Sequence, residues 1–282
     1  MLRLEEHVYK PRSCSWKYYD AELLHRMSHP FSVAWVDRGP AIHSPCRSRT
    51  LPLSQAQTLT SHPSQDSEVD FKPLPRKRET AISCIVASRT GMTAALFKKA
   101  RKSTTGAITL KAFVERPYGG LENMRSYGTV VLFAGRVGIT HQISILHDLV
   151  SAFADGTCAT RKAVLVWSIR EVEQLEWVGQ WMDELVNMPR RGNELKMLLY
   201  VTRTSVGESG NGVVFKETGV REEVKFGRMN VRDLVRGEFE NRVGAMCVGV
   251  CGPGGLADDV RMATREVMGL GKVDFWEESF TW

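Results

Sequence analysis

Residues 129–150 read TVVLFAGRVGITHQISILHDLV, and this stretch decides the fold. Its first half is an apolar run that ends at Gly135, and its second half spaces apolar residues along one face of a helix. A strand that turns on glycines into a helix presents backbone N–H groups to phosphate. The stretch therefore predicts a βα unit with a phosphate-binding turn, and it raises the question of why a cation, Arg136, stands inside that turn.

The alternation of strand and helix continues to the end of the chain. Apolar runs predict strands at 163–169, 195–203, 243–252 and 272–277, and periodic segments predict helices at 171–186, 230–240 and 256–268. A polar, glycine-rich loop follows the 195–203 strand. Repeated βα units predict a doubly wound parallel sheet with helices on both faces, whose ligands bind at the carboxyl ends of the strands.

The first 126 residues have a different pattern. Strand-like runs at 80–88 and 106–115 flank an amphipathic helical segment, GMTAALFKKARK, at 91–102. Residues 39–78 are rich in Ser, Pro, Thr and Gln, which predicts a disordered loop. We therefore expect an α+β or barrel-like domain over residues 1–126 and a nucleotide-binding domain over residues 127–282.

Composition and charge narrow the function classes. The net charge is +6, and two basic clusters begin at Pro75 and Phe97. A solvated basic surface is the simplest interpretation, attraction to an anionic membrane or a phosphorylated cofactor stays open, and no nucleic-acid-binding module accompanies the charge. The six cysteines form no CxxC pair, which favours reduced thiols over a zinc site or a disulfide framework. The amino terminus has no apolar signal core, and no apolar run approaches the ~20 residues that span a bilayer.

The carboxyl ends of the predicted strands carry the candidate binding residues. In strand order these are Gly135, Gly138 and Thr140, then Trp167, then Thr202 and Arg203, then Cys251, Gly252 and Pro253. A dinucleotide would use such a set, with pyrophosphate on the first turn, adenine on the Trp167 ring and a 2′-phosphate beside Arg203, which favours NADP over NAD. Each residue alone has a simpler interpretation, namely a packing turn, a core tryptophan and a surface arginine.

Several segments resemble the fungal ferric-chelate reductases, which are relatives of the NADPH oxidases and of the ferredoxin-reductase fold. The segments are HPFS at 29–32, GMTAALFKKA at 91–100, ERPYGG at 115–120, LFAGRVGITH at 132–141, LVWSIRE at 165–171, VCGPGGLADDVR at 250–261 and DFWEESFTW at 274–282. The resemblance implies a partial antiparallel FAD-binding barrel followed by a doubly wound NADPH-binding domain. It also implies an oxidoreductase that passes electrons from NADPH via FAD to an acceptor, which in the family is a ferric chelate reached through membrane haems.

The resemblance also assigns roles to residues. It implies that FAD is held by His29, Pro30, Phe31 and Ser32, with Gly91 and Thr93 near its pyrophosphate. It implies that NADPH is held by Gly135, Gly138, Ile139, Thr140, Thr202, Arg203, Gly252 and Pro253. The expected catalytic residues are Cys251, beside the nicotinamide, and Phe280, which would cover the flavin. No metal ligand is expected.

The sequence departs from the family pattern in three places. The haem-ligating helices are missing, and His141 and His147 are interpreted as surface or capping residues. The strands expected before residue 4 of a flavin barrel are also missing, which would expose a strand edge. Arg136 stands where the family usually has glycine. At positive φ it would add strain of ~1 kcal/mol, and unless its side chain swings outward it would crowd the pyrophosphate, so we expect weaker NADPH binding.

The leading hypothesis is thus an NADPH- and FAD-dependent ferric-chelate reductase-like enzyme. Its acceptor would be a ferric chelate or a haem-bearing membrane domain, and its place would be cytoplasmic or at the cytosolic face of a membrane. The alternative is a catalytically impaired nucleotide-binding remnant. A third class is a basic interaction protein, which salt-sensitive binding to anionic lipid or nucleic acid would support.

Overall fold

The computed structural model describes the backbone of residues 2–6, 14–18, 28–38, 80–110, 112–117, 123–188, 195–203, 212–215 and 221–279. The strands are β1 Leu2–Glu6, β2 Cys14–Tyr18, β3 Ser28–Phe31, β4 Trp35–Arg38, β5 Thr80–Cys84, β6 Ala112–Pro117, β7 Thr129–Gly135, β8 Lys162–Ile169, β9 Leu195–Val201, β10 Gly212–Phe215, β11 Arg221–Phe226, β12 Met246–Cys251 and β13 Val273–Glu278. The helices are α1 Gly91–Lys102, α2 Ile139–Ala154, α3 Gly179–Asn187, α4 Val231–Glu240 and α5 Gly254–Met268.

Seven strands form the main sheet, in the order β10-β11-β9-β8-β7-β12-β13. All neighbours are parallel except β10, which runs antiparallel to β11 at the edge. Within this sheet, β7 comes first along the chain and is followed outward on one side by β8 and β9. The chain later returns to the other side of β7 with β12. The prediction of a doubly wound parallel sheet is therefore confirmed. The reversal places a topological switch point, where such sheets bind ligands, between β7 and β12.

The core lies on both faces of this sheet. Every residue of β7 is buried, as expected for a central parallel strand covered on both sides. Val130, Leu132 and Ala134 join the cluster formed with α2 and α3, while Val131 and Phe133 join the cluster formed with α4 and α5. The alternation of side chains along β7 thus connects two helical layers through one strand.

Two small antiparallel sheets come from the amino-terminal part of the chain. Their strand orders are β1-β5-β4 and β3-β2-β6. They agree with the antiparallel part of the predicted fold. Pro30 lies in the edge strand β3, where a missing N–H disturbs no further strand.

Trp35, the first residue of β4, packs directly on the helices of the main sheet. Its ring stacks on that of Trp181 in α3, with centroids 5.9 Å apart and an interplanar angle of 8°. The His147 ring of α2 meets it edge-on at 4.5 Å. The interpretation of His147 as a surface or capping residue is therefore wrong, because its imidazole packs against a buried indole.

The structure differs from the predicted elements in several places. The helix expected over 171–186 is a 3-10 turn, Val172–Trp177, followed by α3, because Val178 leaves the helical region at φ −127° and ψ 0°. Strands β10 and β11 were not predicted. The strand expected over 106–115 is shorter, since regular structure begins only at β6. The loop predicted over 39–78 lies outside the described residues, and the domain boundary at 126/127 remains a prediction.

Candidate dinucleotide site

Two glycine turns pack against each other at the switch point. The first follows β7 and runs from Gly135 to Gly138, and the second follows β12 and contains Gly252 and Pro253. A Cβ built on Gly138 would lie 2.1 Å from the carbonyl oxygen of Cys251, and one on Gly252 would lie 2.9 Å from the Gly135 nitrogen. These glycines therefore permit backbone-to-backbone contact between the two turns.

The first turn holds Arg136 in a left-handed conformation. Its φ is +54°, the sole positive φ of a non-glycine residue in the part of the chain that is described. The expected strain of ~1 kcal/mol therefore applies to this position. The carbonyl of Arg136 accepts a hydrogen bond from Trp167 Nε1 at 3.0 Å, and the hydroxyl of Thr140 donates to the Val137 carbonyl at 2.8 Å. Two side chains thus fix the turn from within.

Trp167 does not offer its ring to an adenine. The side chain is 3% exposed and belongs to the cluster packed against α2 and α3. Its indole N–H is engaged by the Arg136 carbonyl. The prediction of adenine stacking is overturned by this burial, and the simpler interpretation of a core tryptophan holds. Ile139 is also fully buried, so only its backbone could face a ligand.

The ends of β8 and β9 carry polar groups beside the first turn. Thr202 donates to the carbonyl of Ile169 through its backbone N–H and through its hydroxyl, both at 2.9 Å. The Arg203 guanidinium donates to the Glu171 carboxylate at 2.9 Å, with 65% and 55% of the two side chains exposed. Because exposed ion pairs contribute only about 0–1 kcal/mol, a phosphate could replace Glu171 as the partner of Arg203.

The electrostatics of this edge are strongly positive. Partial burial lowers the pKa of Arg136, and the nearby charges of Arg170, Arg89 and Arg203 lower it further. Arg170 and Arg89 were not among the predicted site residues. Arg170 directly follows Ile169, the last residue of β8. Its position after a strand was therefore the sequence signal that could have identified it.

Cys251 ends β12 at the base of the second turn. The side chain is buried, and burial together with the Glu278 charge raises the pKa of its thiol to about 12. The thiol is therefore neutral at physiological pH and is not a nucleophile. Beyond it, Gly254 and Gly255 begin α5 and have no heavy atom within 4 Å of a built Cβ. The first amides of a helix have no partner within the helix, and this open side would let them face an anion.

The predicted FAD residues are only partly described. Gly91 begins α1 at φ +56°, and the Thr93 hydroxyl accepts from the Arg89 N–H at 3.1 Å and donates to the Thr90 carbonyl at 3.2 Å. Phe31 and Ser32 are half-buried. The side chains of His29 and Pro30, and all of Phe280, lie outside the described residues. In the ranges the structure covers, no cluster of His, Cys, Asp and Glu could hold a metal ion.

Comparison with known proteins finds a family match for the second half of the chain. Residues 127–265 match the ferric reductase NAD-binding domain. The probable cell surface ferric reductase kap2 of Aspergillus oryzae is 40% identical over 70 residues, which cover 24% of this chain and 9% of that protein. Dual oxidase 2 of Rattus norvegicus is 25% identical over 180 residues, which cover 57% of this chain and 12% of that protein. The chain thus matches only a small part of the length of these relatives.

The fold agrees with solved structures of the same kind. The CS-b5R domains of human Ncb5or, in the NAD+ form, superpose with a TM-score of 0.51 at 14% identity, over 98% of this chain and 62% of that one. Fold and site together define the class of ferredoxin-reductase-like FAD/NAD domains. Within that class, it is residues 127–265 that match the ferric reductase NAD-binding domain.

The expected cofactors agree with this assignment. FAD and a nicotinamide dinucleotide are the cofactors of the class, and the family is defined by its NAD-binding domain. The close packing of Gly138 and Gly252, the open side of Gly254 and the positive edge all fit a phosphorylated dinucleotide. No helix in the described ranges combines the length and the apolar run that a bilayer crossing requires.

Proposed function

We propose that the chain is an NADPH-dependent flavin oxidoreductase whose electrons reach a ferric chelate, directly or through a haem-bearing partner. The observation that carries the proposal is the packing of the two glycine turns at the switch point of a ferric reductase NAD-binding domain. The names of the ferric reductase and dual oxidase relatives support the reaction class.

The proposed roles divide along the sheet edge. Gly135, Gly138 and Thr140 would hold the pyrophosphate at the start of α2, because the amino terminus of a helix favours an anion. Thr202 and Arg203 would receive the 2′-phosphate, since Arg203 has only an exposed carboxylate to exchange. An arginine at this position favours NADPH over NADH, because its guanidinium accommodates the 2′-phosphate.

The second turn would serve the nicotinamide end. Bound NADPH would supply a hydride, and bound FAD would accept it and pass on its two electrons one at a time with release of the proton, so the protein needs to provide geometry rather than a base or a nucleophile. Cys251 would line the site as a neutral thiol, consistent with its raised pKa. Gly252 and Pro253 would fix the path of the backbone that approaches the ring. Phe280 is proposed to cover the flavin until the dinucleotide binds.

The test is an anaerobic titration of the purified chain, supplemented with FAD, with NADPH and separately with NADH. Bleaching of the flavin absorbance by NADPH, followed by reduction of an added ferric chelate, is the expected result. A folded protein that binds NADPH without bleaching would instead support the nucleotide-binding remnant.

The Arg203→Ala variant tests the preference for NADPH. We expect its kcat/KM with NADPH to fall by about tenfold or more while that with NADH changes little, because a charge-assisted contact to the 2′-phosphate is lost. Lys272→Gln, at the opposite edge of the sheet before β13, removes the same charge and is the matched control. Equal loss with both dinucleotides would contradict the assignment of Arg203.

A further inference from the structure

Three arginines follow the carboxyl ends of three adjacent strands. Arg136 comes directly after β7, Arg170 directly after β8, and Arg203 two residues after β9. These strands are hydrogen-bonded neighbours, with Gly135 opposite Ser168 and Ile169 opposite Val201. Because neighbouring strands lie about 4.8 Å apart, the sheet places the three residues along its carboxyl edge, and the charges of Arg170 and Arg203 act on Arg136. We name this set the arginine row.

The arginine row is exposed and is poorly neutralised. All three side chains are accessible to solvent. Glu171 pairs with Arg203, but within the described residues no carboxylate forms an ion pair with Arg136 or Arg170. Arg89, before α1, adds a fourth positive charge near Arg136. Like charges held this close repel one another, and a bound polyanion would remove the repulsion.

Arg136 is the unusual member of the row. Its φ of +54° favours glycine, yet an arginine stands there, and its carbonyl is held in place by Trp167. The side chain is in solvent rather than between the two glycine turns, which meet through backbone atoms. It therefore does not fill the space in which the turns contact each other. Backbone strain of this kind is found at functional sites.

We propose that Arg136 is a phosphate-binding residue of the turn, and that the arginine row receives the phosphates of a phosphorylated dinucleotide. This inference rests on the proposed NADPH site and reverses the expectation that Arg136 weakens binding. Arg136 stands at the amino end of α2, where the helix dipole already favours an anion, so its charge acts at the pyrophosphate position. Arg170 and Arg203, farther along the edge, then face the 2′-phosphate end.

The experiment measures binding of NADP+ and, separately, of inorganic pyrophosphate by calorimetry, at low and at moderate salt. The variants are Arg136→Gly, Arg136→Asn and Arg136→Lys, with Lys272→Gln as the charge control. Glycine and asparagine both tolerate the left-handed conformation and remove the charge. We expect both to bind NADP+ about tenfold more weakly, with a smaller salt dependence than the unchanged protein. Arg136→Lys retains most of the affinity, and Lys272→Gln retains all of it.

Two results would overturn the proposal, and they can be told apart. If the unchanged protein binds NADP+ and Arg136→Gly binds it equally well or more tightly, Arg136 is not a phosphate ligand, although the proposed function stands. If the unchanged protein binds neither probe, the proposed function and this inference both fail. Thermal unfolding of each variant confirms that a loss of binding is not a loss of fold.

Discussion

Gly138 has no room for a Cβ atom. A Cβ there would lie 2.1 Å from the Cys251 carbonyl oxygen, and backbone atoms cannot move aside as a flexible side chain can. We expect Gly138→Ala to lower the free energy of unfolding by about 3 kcal/mol and to abolish NADP+ binding. Chemical denaturation measures the first effect and calorimetry the second.

Gly254 provides the matched control for that substitution. It lies in the facing turn, but no heavy atom stands within 4 Å of its built Cβ. Gly254→Ala should therefore change the free energy of unfolding by no more than about 0.5 kcal/mol. Similar losses for the two alanine variants would show that the turns do not pack as described.

Arg136 should limit stability as well as bind phosphate. Because its φ is +54°, Arg136→Gly removes the left-handed strain and should raise the free energy of unfolding by about 1 kcal/mol. Arg136→Ala removes the same charge but keeps a Cβ, so it should gain less. Thermal unfolding without ligand checks both, and an equal gain for alanine would assign the effect to charge instead.

Sequence reasoning at the residue scale found the glycines but not their main contact. Spacing alone places Gly135 and Gly138 in a strand-to-helix turn, whereas the contact with Cys251 and Gly252 depends on which strands become neighbours. The sequence analysis expected strain at Arg136 if its φ were positive, and the φ of Arg136 is positive in the structure. Trp167 was misassigned because its position at a strand end does not reveal which face of the sheet its ring occupies.

At the scale of elements, Glu238 joins α4 to two strands. Its carboxylate is 8% exposed and lies 2.6 Å from Lys162 Nζ at the start of β8 and 3.2 Å from Lys196 Nζ in β9. Burial acts to raise the pKa of Glu238, but the hydrogen bond and charge of Lys162 with the charge of Lys196 outweigh it, so the pKa is lowered. We expect Glu238→Gln to destabilise the protein by about 2 kcal/mol in urea denaturation.

The same ion pairs predict a pH dependence. A carboxyl whose folded-state pKa is lowered contributes stability above its unfolded pKa, and that stability is lost as the pH falls through the folded value. Unfolding free energies measured from neutral pH into the acid range should therefore fall less steeply for Glu238→Gln than for the unchanged protein. Glu240, exposed on the same helix, supplies the control substitution. Parallel curves would rule out Glu238 as the source.

Most elements after residue 128 could be predicted, and the exceptions have physical causes. Buried strands such as β7 and β8 are continuous apolar runs, and α2 and α5 have clear helical periodicity. Strand β11 lies near the sheet edge and reads REEVKF. Because most of its residues are charged, no apolar run indicated a strand there. The break before α3 at Val178 depends on local packing, which a periodic pattern does not show.

At the scale of the whole molecule, Trp35 connects the antiparallel sheets to the nucleotide-binding domain. It is 3% exposed and stacks on Trp181, while His147 closes its edge. We expect Trp35→Ala to cost about 3 kcal/mol and to speed proteolysis of the amino-terminal part. Trp276→Ala, at a residue 37% exposed in β13, is the control and should cost much less. Equal effects would exclude a connecting role for Trp35.

The architecture of the whole molecule was predicted from two sources, the repeated βα units and the resemblance to a known family. Repeated βα units predict a doubly wound sheet, and seven separated segments resembling one family predict the antiparallel sheets before it. The position of Trp35 was not predicted, because a contact between parts of the chain more than 100 residues apart leaves no periodic signal in either part.

The interlocked turns also have an evolutionary consequence. Between Gly135 and Gly138 the backbone is fixed by contact, but the Arg136 side chain extends into solvent. A lineage can therefore exchange that one side chain without repacking the scaffold, and a protein engineer can do the same. The backbone geometry is inherited unchanged, and position 136 is the place where the affinity for a dinucleotide can drift or be redesigned.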